Sequence, residues 1–319
     1  MFRLDLDYRG KNYTLAVDQS NQECSQFILG RQNEAKQGVN LLPGFAKFAR
    51  NSINTRFGYN DLFRELGIVR PSGDFVGFSP CYKAKVIPPE VCDELVAIIE
   101  SDCKATDDLG LILSSKKTST SAAIFSYVAN SILGSFRSEF SSFYSGSFSP
   151  ISFMAWKTRG MDLKNSTKNC SYRWHTDGVP SYYLKVLVYL SECADSGGGT
   201  EIYGAQANKI FDDIGYAMLP IKDRKTDLTQ LLSQHGSDDI PESYVPEKGS
   251  AVLLLPSENL HKGVAPSLGK NRYALQISFI PFPVYYQQDE KTVNNFCVRS
   301  FGCSYPVVNV VSQSNIVEA

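Results

Sequence analysis

The stretch Tyr182-Tyr183-Leu184-Lys185-Val186-Leu187-Val188-Tyr189-Leu190 decides how this chain is read. In an extended strand successive side chains point to opposite faces. Tyr183, Lys185, Leu187 and Tyr189 then share one face, and Tyr182, Leu184, Val186, Val188 and Leu190 share the other. A second stretch over residues 272–280 repeats the pattern. Arg272, Ala274, Gln276 and Ser278 fall on one side, and Tyr273, Leu275, Ile277 and Phe279 on the other. Each strand thus offers a wholly apolar face and a face that carries polar groups. The apolar faces suit packing under helices. The polar-bearing faces either line a cavity or meet solvent.

Working outward, short strands are expected at 151–157, 200–203 and 250–255, separated by turns. Such a series reads as a sandwich or barrel. Helices come earlier in the chain. Pro88-Pro89-Glu90 opens one, because proline suits a first turn, and Val91, Leu95, Ile98 and Ile99 share its face. A second is predicted over about 121–140, with Phe125, Val128, Ala129, Ile132, Phe136 and Phe140 as its stripe. The expected class is α+β, mainly β, with helices packed on one outer face of a β core. At the N-terminus, residues 2–7 and 12–17 alternate around Tyr8-Arg9-Gly10-Lys11 and predict a hairpin. Leu62, Phe63 and Leu66 form a short helical pattern stopped by Gly67. The expected organisation is an N-terminal extension over 1–75, a β domain over 76–290 and a tail over 291–319.

Bulk properties exclude several classes. The chain has 319 residues, 43% hydrophobic and 20% charged, ordinary for a globular protein. A net charge of -1 gives no reason to expect nucleic acid or an acidic membrane as partner. No apolar run approaches the roughly 20 residues that cross a bilayer. The alternating, acid-bearing N-terminus does not read as a signal peptide. Eight scattered cysteines without a CxxC pair read as free thiols in a reducing cytoplasm.

The chemistry concentrates just before the 182–190 strand, in Ser171-Tyr172-Arg173-Trp174-His175-Thr176-Asp177-Gly178. A His and an Asp two positions apart on an extended segment point the same way. With one distant His they can cover one face of an octahedral metal and leave the opposite positions open. Zinc more often takes Cys or a third His. Alone, His-x-Asp is equally an ordinary turn with a surface histidine. Of the other histidines, His261 follows a strand-like segment, whereas His235 sits in a polar loop and reads as a surface residue.

From residue 172 onward the chain resembles the Fe(II)/2-oxoglutarate-dependent dioxygenases, nearest to their prolyl-4-hydroxylase-like branch. Tyr172-Arg173-Trp174-His175-Thr176-Asp177 resembles the family's Tyr-x-x-His-x-Asp. Val188-Tyr189-Leu190-Ser191, Gly198-Gly199-Thr200-Glu201-Ile202-Tyr203, Leu260-His261-Lys262-Gly263-Val264 and Arg272-Tyr273-Ala274-Leu275-Gln276-Ile277-Ser278 follow in the family's order. The resemblance spans roughly residues 85–285. It implies a double-stranded β-helix, a jelly-roll of the cupin type. It also implies Fe(II) on His175, Asp177 and His261, and 2-oxoglutarate held by Arg272 with Tyr189 beside it. A planar guanidinium suits a buried carboxylate. Tyr189 is equally readable as a core tyrosine, Lys185 as facing substrate or solvent, and Tyr172 as orienting substrate or only packing.

The implied reaction is hydroxylation of an unactivated C–H in an amino-acid, peptidyl or small-molecule substrate, with O2 consumed and succinate and CO2 released. Ascorbate is a candidate reductant. Asp177 separates this reading from the halogenases of the fold, which put a small residue there. Two departures stand out. The segments 158–171 and 204–247 are long for the family and are candidate lids, and Ala274 replaces the family's common Ser. The alternatives are a metal enzyme of the same fold that does not use 2-oxoglutarate and a non-catalytic jelly-roll that binds a ligand or partner.

Overall fold

A computed structural model describes residues 3–8, 11–16, 78–102, 111–113, 119–144, 148–160, 170–177, 183–216, 219 and 223–281. The expected helical turn at Leu62–Leu66 and the tail over 291–319 lie outside these residues. The N-terminal hairpin forms as read. Strand β1 (Arg3–Tyr8) pairs antiparallel with β2 (Lys11–Ala16), in a register that sets Arg3 opposite Ala16 and Tyr8 opposite Lys11.

The main body holds two antiparallel sheets. The larger has six strands: β3 (Cys81–Lys83), β4 (Leu111–Leu113), β5 (Phe148–Arg159), β6 (Leu184–Tyr189), β9 (Ala251–Leu254) and β11 (Asn271–Pro281). Their spatial order is β3-β9-β6-β11-β5-β4. The smaller sheet comprises β7 (Thr200–Ile202), β8 (Glu242–Tyr244) and β10 (His261–Gly263), in the order β10-β7-β8. From β5 onward the chain passes repeatedly between the sheets, so few sequence neighbours are neighbours in space.

The strand faces divide as the alternation predicts. Leu184, Val186, Val188, Leu275, Ile277 and Phe279 are buried in one cluster under three helices. These are α1 (Pro89–Asp102), α2 (Ser119–Ser135) and α3 (Arg137–Phe143). Leu95 and Ile99 supply the α1 face, Val128 and Ile132 the α2 face, and Phe140 and Phe143 the α3 face. The opposite face of the large sheet looks toward the small one. There Leu187, Tyr189, Val252 and Leu254 pack with Ile202 and Tyr244 across the gap.

Three expectations are corrected. The single helix over 121–140 is two helices that meet at Phe136, whose ψ of 27 departs from helical geometry. Gly134 and Ser135, weak helix formers, precede the break. The Ser135 carbonyl is taken by Lys83 Nζ at 2.5 Å. The segment 204–247 is no open loop. It contains α5 (Ala205–Asp213), α6 (Thr229–Gln234) and β8, and there is a short helix before it, α4 (Cys193–Ser196). Ala207, Phe211, Ile214, Leu231 and Leu232 bury against Trp174, Tyr203 and Leu260 in a second core. Finally, β3, β4, β8 and β10 were not anticipated as strands. Three residues are too few for a periodic signal.

Among the described residues no helix is long and apolar enough to cross a membrane. Cys81, Cys92 and Cys193 are free thiols, each pushed up to about 11 chiefly by burial.

Candidate metal centre and anion pocket

The gap between the sheets is a cavity of 160 Å³, lined by Thr158, Tyr172, His175, Lys185, Tyr189 and Arg272 among others. That is roughly tenfold the 10–15 Å³ a single water needs. The sequence-derived candidates His175, His261, Tyr189 and Arg272 all line it, and Asp177 joins the two histidines at its edge. His235 is exposed at the end of α6, away from this group, as read.

The two histidines are brought together by the backbone. His175 N–H donates to the His261 carbonyl at 3.0 Å, and His261 N–H donates to the His175 carbonyl at 2.9 Å. This isolated antiparallel bridge extends the β10 edge of the small sheet to residue 175. Trp174 anchors the preceding turn. It is buried against Tyr203 at 4.4 Å between ring centroids, and Lys262 Nζ lies over its ring. On the other side, Asp177 N–H donates to the Pro256 carbonyl at 2.7 Å.

Ring orientation is equally determined. His175 Nδ1 lies 2.6 Å from the Arg173 carbonyl and His261 Nδ1 lies 2.8 Å from the Asn259 carbonyl. A carbonyl only accepts, so each Nδ1 carries its proton. Burial depresses both imidazoles, His261 to about 3, and so both rings are neutral near pH 7. Each Nε2 is therefore an unprotonated lone pair. The His175 and His261 Nε2 atoms lie 3.6 and 3.9 Å from Asp177 Oδ1. Burial alone would raise the Asp177 carboxyl, but Lys185 and the two imidazoles together hold it below the usual carboxylate range. One ligand atom from each residue lies within 4.8 Å of the others. Two neutral nitrogens and one carboxylate oxygen could hold a divalent ion, and the set contains no thiolate that would favour a closed zinc site.

Arg272 occupies the far end. It is 7% exposed, and its Nη1 donates to the Gly199 carbonyl at 2.9 Å and the Val264 carbonyl at 3.1 Å. Gly199 is required at this spot, since a Cβ there would stand 2.1 Å from the Tyr244 carbonyl. Arg272 Nε is buried without a hydrogen-bond partner, and no carboxylate pairs with the guanidinium among the described residues. The Tyr172 and Thr158 hydroxyls are also buried and unbonded. Burial pushes the Tyr172 phenol up, and the nearby Arg272 guanidinium and Thr158 hydroxyl oppose that shift. Thr158 lies directly opposite Arg272 in the β5–β11 register. Tyr189 is one row along, and its hydroxyl hydrogen-bonds Thr200 Oγ1.

Lys185, read only as facing substrate or solvent, bonds Asp177 Oδ2. Thr158, Thr200 and Asn259 were not singled out from sequence. Thr158 shares an alternating face with Met154 and Trp156, and that pattern contains the clue. Asn259 acts through its main-chain carbonyl, which no residue-type pattern encodes.

No protein-family model matches this chain, and no curated protein matches it. Similar solved structures exist. HygX from Streptomyces hygroscopicus, with nickel and 2-oxoglutarate bound, is 14% identical, with 65% of this chain and 84% of that one covered at a TM-score of 0.40. A prolyl-4-hydroxylase from Pseudomonas putida is 13% identical, with 64% and 92% covered at 0.34. The viral collagen prolyl hydroxylase of Paramecium bursaria Chlorella virus-1, in its 2-oxoglutarate complex, is 15% identical, with 66% and 99% covered at 0.38. At these scores the likeness is an observation only, and the chemistry rests on the residues themselves.

Proposed function

We propose that this chain is an Fe(II)- and 2-oxoglutarate-dependent oxygenase on a double-stranded β-helix, hydroxylating an amino-acid, peptidyl or small-molecule substrate. The observation that carries the reading is the half-satisfied Arg272. A buried guanidinium with an unpartnered Nε and no counter-charge among the described residues is costly unless a ligand completes it. A carboxylate offers two acceptors in the plane the guanidinium presents. The unbonded Tyr172 and Thr158 hydroxyls add donors around the same point. A metal enzyme that did without 2-oxoglutarate would leave this anion pocket without a purpose.

In this reading His175, Asp177 and His261 hold the iron through two Nε2 atoms and Oδ1. Arg272 takes the distal carboxylate of 2-oxoglutarate, and the Tyr189–Thr200 pair borders it. Bound iron would supply the activation of O2 that is coupled to oxidative decarboxylation of the co-substrate. The chain's own residues orient and exclude. The His175–His261 bridge fixes the spacing of the two nitrogens, and the Arg173 and Asn259 carbonyls fix the ring tautomers. Met154, Trp156 and Leu187, on the sheet rows of Ala274 and Gln276, give the substrate side an apolar wall.

The test is anaerobic loading with Fe(II) and 2-oxoglutarate. The expected results are a metal-to-ligand charge-transfer absorption band, then succinate formation on admitting air. Failure of wild-type protein to bind 2-oxoglutarate in the presence of metal ends the proposal.

A further inference from the structure

The geometry points to Lys185 as a positioning residue that holds Asp177 to a single donor oxygen and so keeps one metal position open. The inference rests on the metal reading above and deepens it. Lys185 lies on β6, in the middle of the six-stranded sheet between β9 and β11. Its Cα is in register with Leu254 on one side and Ser278 on the other, so its base is rigid. Lys185 is 7% exposed, and its Nζ is bonded to Asp177 Oδ2. Oδ1, the other oxygen, is the atom that both imidazole Nε2 atoms approach. The Asp177 backbone is separately fixed through Pro256. The carboxylate is therefore held at both ends of its free motion, with one oxygen engaged and the other aimed at the two nitrogens.

This division matters because a carboxylate can donate through one oxygen or two. One oxygen plus two nitrogens leaves three octahedral positions open, enough for a chelating co-substrate and one further molecule. If Oδ2 swings in, it occupies one of the three, and the co-substrate must compete for it. A lysine bonded to Oδ2 opposes that swing. Outer-shell partners of this kind typically change metal-site behaviour by 10–100-fold when removed.

The test uses the full chain loaded with Co(II) under nitrogen. The probes are Co(II) itself and 2-oxoglutarate. Lys185→Met, close in length and apolar, is expected to bind Co(II) but to show an added short metal–carbon path in X-ray absorption, the mark of a two-oxygen carboxylate. Its Kd for 2-oxoglutarate should rise by at least about tenfold. Lys185→Arg should restore both readouts toward wild type. If the Met variant does not fold by thermal melt, Lys185→Leu, which likewise lacks donor and charge, is expected to give the same two changes. The opposing view is that Lys185 merely fills in for a cation at an ion-free site. Removing it would then tighten Co(II) binding and leave the carboxylate mode and the 2-oxoglutarate Kd unchanged, which overturns the inference. Failure of wild-type protein to take up Co(II) is a different result: it removes the metal reading itself, and this inference with it.

Discussion

At one end of the cavity His175, Asp177 and His261 each have a rear atom committed to the protein, with a carbonyl behind each ring and Lys185 behind the carboxylate. At the other end Arg272, Tyr172 and Thr158 leave buried polar atoms with no partner. The first arrangement aims three lone pairs at one point and is complete as a donor set. The second is incomplete and is finished only by a ligand rich in acceptors. The contrast predicts that the two ends can be damaged separately, and substitutions should show it.

The largest effect is expected at the donor end. His261→Ala should weaken divalent-metal binding by at least ~100-fold, beyond the loss typical of outer-shell partners, as measured by equilibrium dialysis. It should abolish 2-oxoglutarate-dependent turnover as well. Next comes the anion end. Arg272→Met should weaken 2-oxoglutarate by at least ~tenfold while metal affinity stays near wild type, because it removes the charge-assisted contact to the co-substrate and leaves the three metal-donor side chains untouched. Without ligand the same variant should melt no lower than wild type, since it removes a half-satisfied buried charge. If both affinities fell together, the two ends would not be separable.

A pH effect of intermediate size follows from the depressed imidazoles. His261 has a folded-state value of about 3 against an ordinary 6.5, so the unfolded chain binds the proton first. Its stabilising effect is complete above about 6.5 and is lost progressively as pH falls toward 3. His175 is depressed in the same direction. Denaturant melts of metal-free protein should therefore show stability falling from pH 7 to pH 5, with a flatter profile in His261→Gln. The smallest effect is expected at Tyr189→Phe, which removes one buried hydrogen bond to Thr200 and should cost about 1 kcal/mol. It leaves metal binding intact, and a chemical melt checks the stability term.

Much of this was legible in the chain. The period-2 alternation of 182–190 and 272–280 separated the helix-covered face from the polar-bearing face, and the structure turns the latter to a cavity where the sequence left cavity and solvent open. The five candidate site residues were named from ordered motifs, and the fold brings them to one cavity. What was hidden has physical causes. Three-residue strands carry no period. The helix over 205–213 did carry one, in Ala207, Phe211 and Ile214, but its polar surroundings read as a connection. The Lys185–Asp177 contact joins a strand to a loop, and only the three-dimensional pairing reveals it.

The reciprocal main-chain bonds between residues 175 and 261 have a kinetic consequence. Closing so long a loop carries an entropic cost before its contacts form, which places this pairing late in folding. Ion capture would then act as a latch on an already assembled pair of sheets and not as its nucleus. Uptake of metal by refolding protein should lag behind the burial of the helical core, and its onset would report when the segments around residues 175 and 261 have met.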